Sequence, residues 1–337
     1  MSRVLTVKRG GGWGWPALIA IVLLAAIVLF HETLARAFGG PAERLRLLLG
    51  KTSAWDLGVC LCGAAQEVTV MRGDGLKLAA SVYTENAAER RPAIVLLHGN
   101  THRGRRLPLY KVLASRLAER GYVVLTLDRA GFGGSEDPFK TNAIGEPPDA
   151  GADVSAALAY LEGLEFVARD RIHLVGHSGG VPPILSAGPR DARVRKLVAI
   201  GPPRRMAERL ADPADRKKFR DRARAYREIL GFGPFPAWYT EDVWRRHKES
   251  SSDLGNYAPY FASRGHKPLL LMDGERESPA DRRYLQSYFR EMADPKRYVT
   301  VPNADHYANT TEIRAVTLYD RQVLRYMLDA IDGFLRE

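Results

Sequence analysis

Hydrophobic positions fall into three regimes along the chain. The first is a run of fourteen uninterrupted apolar residues from Ala17 to Phe30, or eighteen counted from Trp13. As a helix the longer count is about 27 Å, against a hydrocarbon core of about 30 Å. From residue 67 a second regime begins, in which short apolar runs alternate with stretches of helical spacing. Glu67–Arg72 and Leu76–Tyr83 flank Gly73-Asp74-Gly75 and predict a hairpin. Ala93–His98, Tyr122–Asp128, Ile172–His177, Lys196–Gly201, Pro268–Asp273 and Arg297–Pro302 are nearly continuous apolar runs, as expected of strands buried on both faces. Helices are predicted over 108–120, 153–164, 279–293 and 318–335. In the last of these, Val323, Leu324, Met327, Leu328, Ile331 and Phe334 share one face. The third regime, 203–266, has no clear strand and carries Phe232, Phe235, Trp238, Tyr239 and Trp244.

Alternating strands and helices predict an α/β domain with a doubly wound, mostly parallel sheet, over 67–202 and 267–337. The 203–266 segment then reads as a helical insertion, and 38–66 as a connector. Residues 1–37 admit three readings: a signal-anchor (a transmembrane helix), a cleaved signal peptide with a small-residue site at Ala35-Arg36-Ala37, or a helix buried in protein. Trp13 and Trp15 suit a headgroup boundary. The basic residues on either side nearly balance. A short cationic tail held inside gives a membrane-anchored chain with its body on the extracytoplasmic side, and cleavage would release it.

Composition narrows the class. With 337 residues, 45% hydrophobic and 26% charged, the chain is neither disordered nor collagen-like. Its two cysteines, Cys60 and Cys62, exclude a disulfide scaffold and a four-cysteine zinc site within one chain. An i to i+2 bridge would be strained, so two packed thiols are expected. The net charge of +11 raises nucleic acid or an anionic membrane as partners. Its distribution decides between them: +4 lies in residues 1–60 and +5 in 203–266, leaving +2 for the remainder. That is not a nucleic-acid surface, and both basic regions would suit an anionic bilayer.

Open α/β sheets place ligands at the carboxyl ends of their strands. At one such end lies Gly176-His177-Ser178-Gly179-Gly180, a G-x-S-x-G. A sharp strand-to-helix turn needs small neighbours around the serine. Alone the motif is weak and reads equally as a glycine-rich turn; its place between a buried strand and a helix gives it weight. After Ala93–Leu97, the sequence His98-Gly99-Asn100-Thr101 lets the Asn100 N–H face the serine. With the Gly179 N–H it would form a two-donor oxyanion hole. His306 follows the last strand and is the candidate base. For the acid, Asp273-Gly-Glu275-Arg-Glu277 offers Glu277 first and Asp273 as the alternative, with Asp281 and Asp305 also open.

These features resemble the α/β-hydrolase superfamily across about residues 67–337. The matching stretches are His98-Gly99, Asp128-Arg-Ala-Gly-Phe-Gly-Gly-Ser135, Gly176–Gly180, Leu270-Leu-Met-Asp-Gly274 and His306. The resemblance implies an α/β-hydrolase fold with an eight-stranded sheet and a lid at 203–266. It implies Ser178 as nucleophile, His306 as base, Asn100 and Gly179 as oxyanion donors, and an acid three residues past the glycine, which here is Glu277. Two departures stand out: Glu replaces the commoner Asp, and Gly179 replaces a larger residue.

The resulting expectation is a serine hydrolase that cleaves carboxylic ester or thioester bonds of a small-molecule substrate, with no metal or organic cofactor. A peptidase or amidase on the same triad, and a non-catalytic membrane-anchored binding protein on a hydrolase scaffold, are the alternatives. The cap aromatics suit either an apolar substrate group or the cap's own core. His102, Arg103, Arg105 and Arg106 form either a solvated basic loop or an anion site.

Overall fold

The computed structural model describes residues 44–45, 48–62, 65–85, 88–141, 145–203, 211–252, 267–313 and 316–337. Its centre is an eight-stranded sheet in the order β2-β3-β5-β4-β6-β7-β8-β9. The strands are β2 (Ala65–Met71), β3 (Lys77–Tyr83), β4 (Arg91–Leu97), β5 (Val123–Leu127), β6 (Val167–His177), β7 (Val194–Ile200), β8 (Leu269–Gly274) and β9 (Lys296–Val301). β2–β3 and β3–β5 pair antiparallel, and every other pairing is parallel. The mostly parallel sheet predicted from the apolar runs is thus present.

Strand β4 shows why those runs are continuous rather than alternating. Ala93, Val95 and Leu97 enter one apolar core, and Ile94 and Leu96 enter the other. Helices cover both faces, so every position from Ala93 to Leu97 is buried. On one side lie α1 (Pro108–Glu119) and α7 (Arg321–Arg336). On the other lie α2 (Ala150–Glu162), α3 (Val181–Ala187) and α6 (Pro279–Glu291). Helix α7 is capped by Asp320, whose carboxylate accepts from Gln322 N and Val323 N. Its predicted face is buried throughout, at about 1.5–3 kcal/mol for each large apolar side chain.

Three expectations are corrected. The 318–335 helix starts only at Arg321, because residues 316–320 form β11 (Val316–Asp320). Part of the 38–66 connector is built into the body. There, β1 (Leu57–Cys60) pairs with β11, which also pairs with β10 (Thr310–Ile313), and Leu45 and Leu48 pack on Leu57 and Leu318. Cys60 and Cys62 are disulfide-bonded rather than free thiols, with Cα atoms 5.0 Å apart and Cys62 in the left-handed region at φ 36°.

The insertion supplies α4 (Pro213–Ile229) and α5 (Glu241–Ser252). It is fastened to the body by Arg227, which donates to both carboxylate oxygens of Asp137 at 3.0 and 2.9 Å and lies over the Phe139 ring. The signal or anchor segment, 1–37, lies outside the described residues. Among those described, no helix is long and apolar enough to cross a membrane.

Candidate active site

Ser178 follows β6 directly, in the left-handed conformation at φ 51° that side chains rarely adopt. The turn leads through Ser178–Gly180 into α3. Its glycines are required by contact. A Cβ on Gly176 would lie 2.5 Å from the Gly180 carbonyl oxygen, and one on Gly180 would lie 2.5 Å from that of Leu97. The elbow is therefore wedged against the end of β4, which brings the His98–Asn100 loop beside the serine. A Cβ on Gly99 would come within 2.9 Å of Ser178 Cβ.

The loops after β8 and β9 are sewn together by backbone bonds. Glu275 N donates to Val301 O at 3.0 Å, and Arg276 N to Ala304 O at 2.9 Å. This holds Glu277 against His306, with Oε1 3.3 Å from Nδ1. Both side chains pack on Gly201, at the end of β7, where the left-handed φ of 51° and the missing Cβ leave room for them. The other carboxylates are occupied. Asp273 is buried and accepts from Tyr298 Oη at 2.7 Å and Arg282 Nε at 3.2 Å. Asp305 accepts from Tyr307 N and Asn309 N, both at 2.9 Å, and pairs with Lys51. Burial opposes ionisation of Asp305, but Lys51 and those N–H groups hold its carboxyl below the ordinary range. Asp281 pairs with Ser278, the cap of α6. Of the four candidate acids, Glu277 alone is brought to His306. Among the described residues no hydrogen bond joins Ser178 to His306, a link that often tightens only when substrate is bound.

Sequence reasoning missed two residues, Tyr110 and His177. Tyr110 Oη accepts from Gly99 N at 2.7 Å and donates to His177 Nδ1 at 2.8 Å. His177 Nε2–H then donates to the His306 carbonyl at 2.7 Å. One buried chain thus links the loop after β4, the end of β6 and the loop after β9. Burial, then the nearby His306, pulls the His177 pKa down to about 3, so its ring is neutral and its tautomer is fixed by these partners. His98 works similarly, accepting from Arg129 N at 3.0 Å and donating to Gly99 O at 2.6 Å. A histidine inside the serine motif and a tyrosine on the apolar face of α1 were the available signals.

The basic loop is neither solvated nor an anion site at Arg103 and Arg105. Arg105 is buried and pairs with Asp128 and Glu67, while Arg103 pairs with Glu312. Among the described residues, no group of His, Cys, Asp and Glu is arranged to hold a metal ion.

A family model described as the alpha/beta hydrolase family matches residues 94–316, which include Asn100, Ser178, Glu277 and His306. The chain belongs to the alpha/beta hydrolase family. It is 25% identical over 343 residues to uncharacterized protein PA2218 of Pseudomonas aeruginosa, covering 89% of this chain and 87% of that one. The crystal structure of that protein superposes with a TM-score of 0.54, covering 84% of this chain and 94% of that one. Uncharacterized protein Rv2307c of Mycobacterium tuberculosis is 26% identical over 276 residues, covering 81% and 80%. The Pyrococcus furiosus esterase PF2001 shares the fold at 17% identity and a TM-score of 0.53, covering 82% of this chain and 92% of that one.

Within this family fold, the glycine at position 179 has a local cause. A Cβ there would overlap the Asn100 side chain, whose Oδ1 accepts from Arg129 at 2.6 Å. Asn100 fills the space that a larger residue at 179 would take.

Proposed function

We propose that the chain is a serine hydrolase that cleaves small carboxylic esters or thioesters through an acyl-enzyme on Ser178. The observation that carries this reading is the strained Ser178 elbow at the same strand ends as the His306–Glu277 pair. Ser178 Oγ attacks the acyl carbon while His306 Nε2 takes its proton. Glu277 keeps Nδ1–H in place and stabilises the imidazolium that forms. The N–H groups of Asn100 and Gly179 hold the developing oxyanion. The tetrahedral intermediate expels the alcohol or thiol, protonated by His306, and water then releases the acid by the same route. Family membership, and an esterase among proteins of this fold, support the reading.

A fluorophosphonate probe tests it. We expect one label per chain, mapped to Ser178 by peptide mass spectrometry, and none on Ser178→Ala. A folded, unlabelled protein with no ester hydrolysis would remove the enzyme reading in favour of a binding role.

The Tyr110–His177 chain makes a smaller prediction. Tyr110→Phe leaves Gly99 N–H without its acceptor and His177 Nδ1 without its donor, at about 1–3 kcal/mol for a buried orphan. We expect kcat to fall about tenfold or more with KM less affected, and the apparent pKa of kcat/KM to move. A loss of thermal stability with unchanged kcat would make the chain structural only.

A further inference from the structure

The amino ends of the parallel strands, opposite the end that carries Ser178, hold two adjoining clefts of about 560 and 510 Å³. Arg195, Lys196 and Glu337 line both. Irregular pairing brings the arginines there. Ile172 of β6 pairs with Val194 of β7, but His173 pairs with Lys196, so Arg195 is an extra residue on β7. Arg91 of β4 pairs with Val167, but Ala93 pairs with Ile172, which leaves 168–171 of β6 without partners on β4. Such bulges re-aim side chains and recur beside functional sites.

The charges at these clefts do not cancel. Seven Lys and Arg side chains line them, against the two carboxylates of Asp170 and Glu337. Glu337 is taken by Arg297 at 2.9 Å, and Arg336 by Asp332 at 2.7 Å. Lys196 and Lys296 donate to the main-chain carbonyls of Phe334 and Met292, which leave their charge in place. Among the described residues, Arg171 and Arg195 form no ion pair, with Asp170 or any other carboxylate. The +2 of the body as a whole conceals this local excess.

His173 joins the cations. It lines the second cleft, is 3% exposed, and its Nδ1 has no hydrogen-bond partner among the described residues. Burial first, then the charges of Lys196, Arg195 and Arg171, pulls its ring down to about 4, so it is neutral and one ring nitrogen can donate. Burial also holds the Lys196 ammonium below its ordinary range, with Glu337 opposing and Arg195 and Arg297 adding to the fall. Cations that depress one another in this way are all relieved by one added anion.

We propose that these clefts bind a terminal phosphate or diphosphate group, of a soluble molecule or of a lipid headgroup, across Arg171, Arg195 and Lys196 with His173 beside it. A phosphate carries a charge of about −1.5 to −2 at pH 7 and accepts the paired N–H groups of arginine. A carboxylate, with a single charge, offsets several cations less well. The site lies at the other end of the sheet from Ser178 and does not depend on the hydrolase reading.

Calorimetry on the full chain tests it with inorganic pyrophosphate and with malonate, a dicarboxylate of similar span. We expect pyrophosphate to bind at least about tenfold more tightly, and the double variant Arg171→Gln, Arg195→Gln to weaken it at least about tenfold. Both arginines are exposed, so the double variant should keep its melting temperature. Lys217→Met, which removes an exposed charge from α4, should leave binding unchanged.

Sedimentation with phosphatidylcholine vesicles, plain or with about one-fifth phosphatidic acid, separates the two sources of phosphate. Pyrophosphate binding without added pelleting on phosphatidic acid assigns a soluble ligand. Added pelleting that the double variant loses assigns a lipid headgroup. Malonate binding as tightly as pyrophosphate, or phosphate binding of either kind that the double variant keeps, overturns the proposal, as does no binding in either assay.

Discussion

Glu277→Gln is expected to lower kcat/KM for a 4-nitrophenyl ester on the order of 10³–10⁴-fold with little change in folding. The Glu277 carboxylate lies 3.3 Å from His306 Nδ1 and, when ionised, can only accept. It therefore selects the tautomer with a proton on Nδ1, leaving Nε2 free to take the Ser178 proton. An amide of the same shape can donate instead. It would then stabilise the opposite tautomer, with the proton on Nε2, and the base would be disabled although its position is kept. Asp273→Asn is the informative comparator. Asp273 is fixed by Tyr298 and Arg282, so its loss should reduce stability and change kcat less than tenfold. Because the relay acts as a unit, Glu277→Gln should add little to His306→Ala. Steady-state kinetics on the single and double variants decide the matter. If Asp273→Asn falls to the floor while Glu277→Gln stays within tenfold of the native rate, the acid has been misassigned.

The contrast between these two carboxylates shows what the sequence could and could not specify. Strand β8 and its following loop were legible because a long apolar run must be a buried strand and its end must turn. Which carboxylate meets His306 depends on how the loop after β8 crosses to the loop after β9, through bonds such as Arg276 N to Ala304 O. No local pattern encodes that crossing. The same holds for Arg105 and Arg103. In sequence they look like surface charges, but Arg105 meets Asp128 23 positions away and Arg103 meets Glu312 209 positions away. Strands β10 and β11 were missed because they are short, pairing with each other and, through β11, with β1, in a stretch without alternation. Tyr110 was hidden by its own helix, where an aromatic at an apolar position needs no further explanation. The serine elbow was readable because its constraint is local: Gly176 and Gly180 have no room for a side chain.

Arg105→Met should have the largest effect on stability, a loss of about 3–5 kcal/mol. The native Arg105 side chain is 4% exposed and the Asp128 side chain beneath it is 0% exposed. Its guanidinium pairs with Asp128 and Glu67 and donates to Ser81 Oγ at 2.8 Å. Methionine keeps much of the volume but removes the charge. Asp128 would retain only the backbone N–H donors of Arg105 at 2.6 Å and Gly134 at 2.9 Å. The melting temperature should fall by about 10 °C, at roughly 2–4 °C per kcal/mol for a domain of this size. The pH dependence has a definite sign. Burial pushes the Asp128 carboxyl up, against the pull of Arg105 and the N–H donors, and losing Arg105 raises it further. The folded variant then binds that proton more tightly than the unfolded chain, whose carboxyl titrates near ~3.9. The penalty is complete above the raised folded value and fades as pH falls through it. The deficit relative to the native protein should therefore narrow as pH falls from neutral toward the unfolded carboxyl's ~3.9. Adding Asp128→Asn, which removes the stranded charge, should recover part of the loss. Denaturant unfolding across that range measures both effects. A deficit below about 1 kcal/mol, or one that widens on acidification, would mean that Arg105 does not neutralise a buried carboxylate.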